Sequence, residues 1–352
     1  MIRVHNYFHK LKEMGASDLH LAADRPPMYR ASGEVQPIPG EPVLSDAELR
    51  DILREAVSET DWNQFETCHD LDFATAVDGL ARFRGNYLEQ HNGVSAVFRM
   101  VPEEIIPAEK LGLSAAITNL ADLDAGLVLV TGPTGSGKST TLAAIIDLVN
   151  RNHAKHIVTI EDPVEFVHQN KRSILSHRQV GPDTDAFADA LKAAVRQDAD
   201  VILVGEMRDY ETISLALEAA SMGVLVFGTL HTNGASKTVD RIIDAFPADQ
   251  QDQARNNLAE SLAAVVSQLL ARREGGGRVG VHEILLRTSG LPGAIRDGKT
   301  AMLNSVIESG AAAGMQSMDA CLMRLVREGT IAGHEAYLKA NDKKQFQRWA
   351  EG

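Results

Sequence analysis

The sequence predicts an α/β fold in which a small α+β unit precedes a larger unit of alternating strands and helices. Three observations predict it. Residues 1–98 combine one helical apolar period with short alternating strands. A glycine-rich loop later joins a strand to a helix. From about residue 114, near-continuous apolar runs recur, as parallel strands covered on both faces require: Leu127–Thr131, Ile157–Ile160, Val201–Val204 and Val224–Phe227.

Composition narrows the class of function. The 352 residues suffice for two or three domains, and the formal net charge is −13. Such a charge favours solubility and argues against a surface that grips nucleic acid through phosphates, so we expect no direct nucleic acid binding. No apolar run approaches the roughly 18 residues of a membrane span. Cys68 and Cys321 lie far apart, which indicates neither a disulfide framework nor a zinc site.

The first unit contains clear local signals. Ser45 followed by Glu48 is typical of a capping box that begins a helix. Asp78-Gly79 is a strong hairpin turn between two apolar runs. The prolines and charges of residues 101–107 indicate a linker, which we place at 99–113. The predicted elements are a helix with Ile2, Val4, Phe8, Leu11 and Met14 on one face, a strand with Leu19 and Leu21, a hairpin of residues 73–77 and 80–88, and a strand at 94–99.

The second unit, residues 114–352, continues with helices between its strands. Residues 187–195 have a helical apolar period, and the long segment 248–271 places its leucines and valines on one side. A strand is predicted at 279–286, after a triple-glycine loop, and the last 60 or so residues are typical of amphipathic helices. Pro292 and Gly293 are expected to break any helix running through them.

The glycine-rich loop matches the pattern G-x-x-x-x-G-K-[ST] at every fixed position. Glycine lets successive backbone N–H groups turn around a β-phosphate, and the helix that follows adds its positive end. Lys138 is expected to reach the β- and γ-phosphates, and Ser139 to supply its hydroxyl to Mg²⁺. The predicted ATP-binding residues are Gly132, Pro133, Thr134, Gly135, Ser136, Gly137, Lys138, Ser139 and Thr140.

Polar side chains also follow three other predicted strands, where open α/β sheets bind ligands. Glu161 lies in the acidic run 159–165, Glu206 follows Val201–Val204, and His231 follows the next strand. Either carboxylate is suited to activate water, and the sequence does not rank them. Gly205 stands where a Walker B strand usually has aspartate, which leaves Ser139 and water as the expected magnesium ligands. Taken singly, a histidine after a strand is more often a hydrogen-bonded structural residue, and carboxylates at a strand end are often helix N-caps. The ordered series of all these residues favours catalysis.

That series resembles the type II/IV secretion ATPase superfamily, and within it the PilT-like type IV pilus retraction ATPases. The resemblance extends over almost the whole chain. Its strings are Ala16–Leu21, Ala81–Asn86, the P-loop, Thr159–Glu165, Leu203–Asp209, Thr229–Asn233, Lys237–Asp244 and Gly314–Asp319.

The resemblance implies a PAS-like N-terminal domain joined to a RecA-like ATPase domain, assembled as a homo-hexameric ring. It also implies that ATP lies between the two domains and that arginines of the first one reach it. The matching positions are Arg82, Arg84 and Arg99. A planar guanidinium suits phosphate charge, but without the resemblance these arginines are more typical of a soluble surface.

The function implied is an ATP-hydrolysing motor for pilus retraction, acting with an inner-membrane platform protein at the cytoplasmic face. Assembly ATPases usually carry a tetracysteine zinc motif and an extra N-terminal domain, and the chain shows neither, which favours the retraction branch. Residues Gly290–Lys299 keep only the second half of a usual retraction motif. An accessory retraction paralogue, a secretion or DNA-uptake ATPase, and a slow nucleotide-binding regulator therefore stay open as alternatives.

Overall fold

The computed structural model describes residues 2–31, 34–101 and 104–350. The chain divides after Glu104 into two compact units. Among the described residues, none of the helices combines the length and the apolar character that a membrane span requires.

The first unit is an antiparallel sheet with three helices. The strand order is β3-β2-β1-β6-β5-β4, and every neighbouring pair is antiparallel. The strands are β1 (Asp18–Ala22), β2 (Met28–Ala31), β3 (Glu34–Pro37), β4 (Asp70–Val77), β5 (Ala81–Gln90) and β6 (Gly93–Val101), and the helices are α1 (Val4–Glu13), α2 (Asp46–Arg54) and α3 (Glu59–Cys68).

The local signals of this unit are confirmed. The predicted helix, hairpin and following strand correspond to α1, β4–β5 and β6. In the capping box, the Ser45 hydroxyl accepts from the Glu48 N–H at 3.4 Å, and the Glu48 carboxylate accepts from the Ser45 N–H at 2.9 Å. The apolar face of α1 packs on one face of the sheet, where Phe8 stacks on Phe83. The opposite face of the sheet is left for polar side chains.

The second unit is built on a seven-stranded sheet of order β13-β12-β7-β11-β10-β8-β9. Only the β12–β13 pair is antiparallel, and the remaining pairs are parallel. The strands are β7 (Gly126–Thr131), β8 (His156–Glu161), β9 (Ile174–Gln179), β10 (Val201–Val204), β11 (Leu225–Leu230), β12 (Leu262–Arg272) and β13 (Arg278–Leu286).

Helices cover this sheet and continue to the end of the unit. Leu127 and Leu129 of β7 pack into one apolar cluster, whereas Val128 and Val130 pack into another, so both faces of the strand are buried as predicted. The helices are α4 (Ala108–Leu111), α5 (Ala115–Thr118), α6 (Lys138–Asn152), α7 (Phe187–Arg196), α8 (Tyr210–Ser221), α9 (Ala235–Asp244), α10 (Gln251–Ser261), α11 (Leu291–Arg296), α12 (Leu303–Ser309), α13 (Met318–Arg327) and α14 (Gly333–Lys339), with 3-10 turns at Asn119–Asp122, Thr300–Met302, Ala311–Ala313 and Lys343–Trp349.

The segment 248–271 is not a single helix with one apolar face. It is helix α10 up to Ser261 and strand β12 from Leu262 onward. The helical interpretation of the second half is wrong because β12 lies between β7 and β13 and is buried on both faces. An uninterrupted apolar run is as typical of a strand buried on both faces as it is of a buried helix.

Pro292 and Gly293 do not break a helix but lie within α11. Proline is tolerated in the first turn, since its missing N–H would have no partner there in any case. The expectation failed because the helix begins immediately before the proline rather than running through it.

The predicted linker 99–113 contains regular structure at both ends. Strand β6 runs on to Val101, and α4 begins at Ala108. The predicted end of the first domain at residue 98 therefore falls inside β6. Pro102 and Glu103, which suggested the linker, lie outside the described residues.

The capping box predicts a measurable loss of stability. Ser45→Ala removes the side-chain acceptor at the start of α2, and we expect the free energy of unfolding of the first unit to fall by about 1 kcal/mol. Urea denaturation followed by far-UV circular dichroism measures it. Ser114→Ala is the matched control, because Ser114 precedes α5 without a side-chain cap hydrogen bond. Equal losses in both variants would contradict the assignment.

Candidate active site

The P-loop joins β7 to α6, as the sequence predicts. Gly137 has a φ of +86° and caps α6, whose first residue is Lys138. At Gly132 a Cβ atom would lie 2.2 Å from the backbone carbonyl oxygen of Gln268, so no side chain fits. The N–H groups that begin α6 have no carbonyl one turn earlier to bind, which makes this loop suited to an anion.

Lys138 is buried against the loop it belongs to. Its Nζ donates to the carbonyl oxygens of Gly132 at 2.9 Å and Pro133 at 3.2 Å. Burial lowers the pKa of Lys138, and the carboxylates of Glu206 and Glu165 oppose that shift. A buried ammonium held by neutral carbonyls fits a phosphate group, because phosphate would supply the missing negative charge. The Ser139 side chain, one residue further on, is half-buried.

Glu206 and His231 meet at the ends of β10 and β11. The Glu206 Oε1 lies 3.1 Å from His231 Nε2, and its Oε2 accepts from the Arg208 guanidinium at 2.7 Å. Chiefly through that hydrogen bond, Arg208 holds the pKa of Glu206 below its ordinary value, although burial acts in the opposite direction. The carboxylate is therefore ionised at neutral pH and is able to accept a proton.

Backbone and side-chain bonds fix this pair of strand ends. The Thr229 hydroxyl donates to the Gly205 carbonyl at 2.5 Å, and the Met207 N–H donates to the Thr229 carbonyl at 3.0 Å. These two bonds join the turn containing Glu206 to β11, which leads directly to His231. The short separation between the carboxylate and the imidazole therefore follows from how β10 and β11 end.

The structure gives a physical reason for glycine at position 205. A Cβ atom there would lie 3.1 Å from the Ile160 carbonyl oxygen and 3.3 Å from Glu161 Cγ. A side chain at position 205 would therefore pack tightly against the end of β8, which would have to shift by a few tenths of an ångström. The same closeness places Glu161 against the turn of Glu206, where its Oε2 accepts from the Glu165 N–H at 3.3 Å.

The candidate residues of the second unit thus share one edge of the sheet. The P-loop, His231 and Glu206 follow β7, β11 and β10, and Glu161 is the last residue of β8. These four strands are consecutive in the sheet and parallel. Arg208 was missed by sequence reasoning. Its position two residues after Glu206 is a signal, since a side chain there can reach back to the carboxylate.

The three candidate arginines share the polar face of the first unit's sheet. Arg82 and Arg84 are two residues apart on β5, and Arg84 is directly opposite Arg99 on β6. Arg99 donates from Nε to Asp18 at 2.7 Å. Burial raises the pKa of Asp18, but hydrogen bonds from Ser17 and Arg99 outweigh it, and the net pKa is lowered. Asp18 is a second residue that sequence reasoning did not single out.

Comparison with known proteins gives one family. The family model for type II/IV secretion system proteins matches residues 13–276. The type IV pilus retraction ATPase PilT of Pseudomonas aeruginosa is 47% identical over 334 residues, covering 95% of this chain and 97% of that protein. The type IV pilus ATPase PilU of the same organism is 38% identical over 330 residues, covering 94% and 86%.

A solved structure agrees with these sequence matches. The crystal structure of the pilus retraction motor PilT with bound ADP superposes with a TM-score of 0.92 at 41% identity, covering 99% of this chain and 100% of that one. The predicted fold class, with a RecA-like second unit, is confirmed by this likeness. The chain belongs to the type II/IV secretion system protein family.

Proposed function

We propose that this chain is an ATP-hydrolysing motor that powers retraction of type IV pili. The observation that carries the proposal is the Glu206–His231 pair, 3.1 Å apart, at strand ends consecutive with that of the P-loop. In this arrangement Glu206 is an ionised proton acceptor, His231 is a polar group suited to the γ-phosphate, and the P-loop is a phosphate-binding loop. The identity of 47% to a retraction ATPase supports the choice of pilus retraction among the motor roles.

In the proposed mechanism, Lys138 exchanges its loop carbonyls for the β- and γ-phosphates of ATP. The Ser139 hydroxyl would hold Mg²⁺, which would supply positive charge to stabilise the phosphates during hydrolysis. Glu206 accepts a proton from the attacking water, and His231 orients the γ-phosphate while bonded to Glu206. Glu161, against the same turn, is the alternative proton acceptor. Arg208 lowers the pKa of Glu206 and so favours the ionised form, which is the form able to accept the proton.

On the family resemblance, Arg82, Arg84 and Arg99 of the first unit are also proposed to act on the phosphates of ATP. Arg84 and Arg99 are opposite one another on the polar face of the sheet, and like charges in such a pair repel. A bound phosphate would relieve that repulsion. The working form is a homo-hexamer, with a pilus platform protein in the inner membrane as its partner and the cytoplasmic face as its location. No direct contact with nucleic acid is part of the proposal.

A second candidate function is an accessory retraction motor. It is favoured by residues Gly290–Lys299, which depart from the usual retraction motif and contain the short helix α11. Retraction measured in cells that lack only this chain separates the two. Complete loss of retraction supports a principal motor, whereas partial loss supports an accessory one. A slow nucleotide-binding regulator would show no sustained phosphate release.

Lys138→Ala should abolish both chemistry and work. The phosphates lose their buried cation, and we expect steady-state phosphate release to fall at least about a hundredfold. The variant should also fail to restore twitching in cells lacking the chain. Lys192→Ala is the matched control, because Lys192 pairs with Glu211 on the surface. Near-normal turnover in Lys138→Ala would refute the phosphate site.

Glu206→Gln should separate binding from hydrolysis. An amide keeps the shape and can still bond His231, but it cannot take a proton from water, so the single-turnover rate should fall about a hundredfold or more. ATP affinity should stay within about threefold, a shift below 1 kcal/mol. Glu211→Gln is the control on a surface ion pair. If Glu206→Gln instead loses ATP binding, the residue is structural.

Arg84→Ala should lower kcat at saturating ATP by about a thousandfold or more, the lower end of the range for an arginine that acts on the γ-phosphate. Phosphate release at increasing protein concentration, with light scattering on the same samples, measures turnover and assembly together. Arg54→Ala changes an exposed arginine of α2 and serves as control. Full activity of Arg84→Ala, or a fully active wild-type monomer, would contradict the proposed ring.

A further inference from the structure

Gln268 contacts the P-loop, although its strand, β12, is not part of the P-loop sequence motif. β12 pairs with β7 in parallel, with Ser267 opposite Thr131, so Gln268 comes next to the point where β7 turns into the loop. The side chain is buried, with 3% of its surface exposed. Its Nε2 donates to the Ser136 carbonyl at 2.8 Å, and its Oε1 accepts from the Thr141 hydroxyl at 2.7 Å. Both ends of the amide are thus bonded to the loop and its helix.

The backbone of the loop packs directly on Gln268. A Cβ atom at Gly132 would lie 2.2 Å from the Gln268 carbonyl oxygen, and one at Gly137 would lie 2.9 Å from Gln268 Nε2. Two of the loop glycines therefore lack side chains where this glutamine approaches. The close packing on Gln268 therefore restricts backbone movement of the P-loop toward β12.

The neighbouring Ser267 joins the same strand to the loop of His231. Its hydroxyl is 2.7 Å from the Thr131 hydroxyl and accepts from the Gly234 N–H at 3.0 Å. The Thr238 hydroxyl in turn donates to the Gly234 carbonyl at 2.8 Å. The Ser267–Gln268 pair thus holds the end of β7, the P-loop and the segment after His231 in one bonded set.

We propose that Gln268 is a positioning residue that aims the P-loop amides at phosphate. In a trans peptide the C=O and the following N–H point in opposite directions. When Gln268 holds the Ser136 carbonyl, it directs the Gly137 N–H to the other side of the loop, where the anion binds. The residue acts through the loop and does not itself touch nucleotide. The inference rests on the proposed function of the P-loop.

Gln268→Glu tests the donor. At pH 8 an ionised carboxylate has no hydrogen for the Ser136 carbonyl and repels its oxygen, so the Kd for ADP should rise at least about tenfold. Titration calorimetry measures the Kd, and a thermal melt without nucleotide checks folding. Gln316→Glu is the matched control, because the Gln316 amide donates to the His282 carbonyl at 2.9 Å, far along the chain from the loop. That control should change the Kd less than about twofold.

The pH dependence of the Kd for ADP distinguishes a positioning role of Gln268 from a merely structural one. Once protonated, the carboxyl introduced by Gln268→Glu regains an O–H donor of similar shape, so the ratio of variant to wild-type Kd should fall between pH 8 and pH 5.5. A constant ratio, or a variant Kd equal to that of wild type, would overturn the inference. Absence of ADP binding by the wild type would instead refute the proposed nucleotide site itself.

Should Gln268→Glu not fold, Thr141→Val provides the second test. Valine keeps the volume and removes the hydroxyl that orients the amide, and the Kd for ADP should rise about fivefold, the usual effect of one hydrogen bond. An unchanged Kd in Thr141→Val would count against the positioning role.

Discussion

The parallel pairing of β7, β11, β10 and β8 is the constraint on which the candidate site depends. These strands are consecutive in the sheet, and their carboxyl ends reach one edge. Residues separated by up to about a hundred positions in the chain thereby meet. Burial of β7 on both faces anchors this strand in the core, because its withdrawal would expose apolar side chains of both clusters to water. The P-loop is therefore held by a rigid element on one side and by β12 on the other.

The charged side chains of the candidate site in the second unit have two kinds of environment. Lys138 is buried with carbonyl partners, and burial lowers its pKa. Glu206 is kept ionised by Arg208 and bonded to His231. In the proposed mechanism, the phosphates of ATP would supply the negative charge that Lys138 lacks, and Glu206 would be ionised when the attacking water arrives.

The first unit carries three arginines on one face of its sheet. One face of its antiparallel sheet packs against helices, and the other carries Arg82, Arg84 and Arg99. Asp18 is buried beneath Arg99 and restricts the direction of its guanidinium. Strand alternation places Arg82 and Arg84 on one face of β5, and the register of β5 with β6 places Arg99 on the same face. A regular antiparallel sheet can therefore group several arginine side chains without a specialised loop.

The sequence by itself determined the P-loop, the strands around it, the capping box at Ser45 and the order of polar residues after the strands, because these depend on local spacing. It did not reveal that residues 248–271 change from helix to strand, that Arg208 bonds Glu206, or why position 205 is glycine. Those features depend on which segments become neighbours. Only the tertiary structure decided them, since a buried strand and a buried helix can share one apolar pattern, and contacts such as Gln268 with Ser136 join residues 132 positions apart.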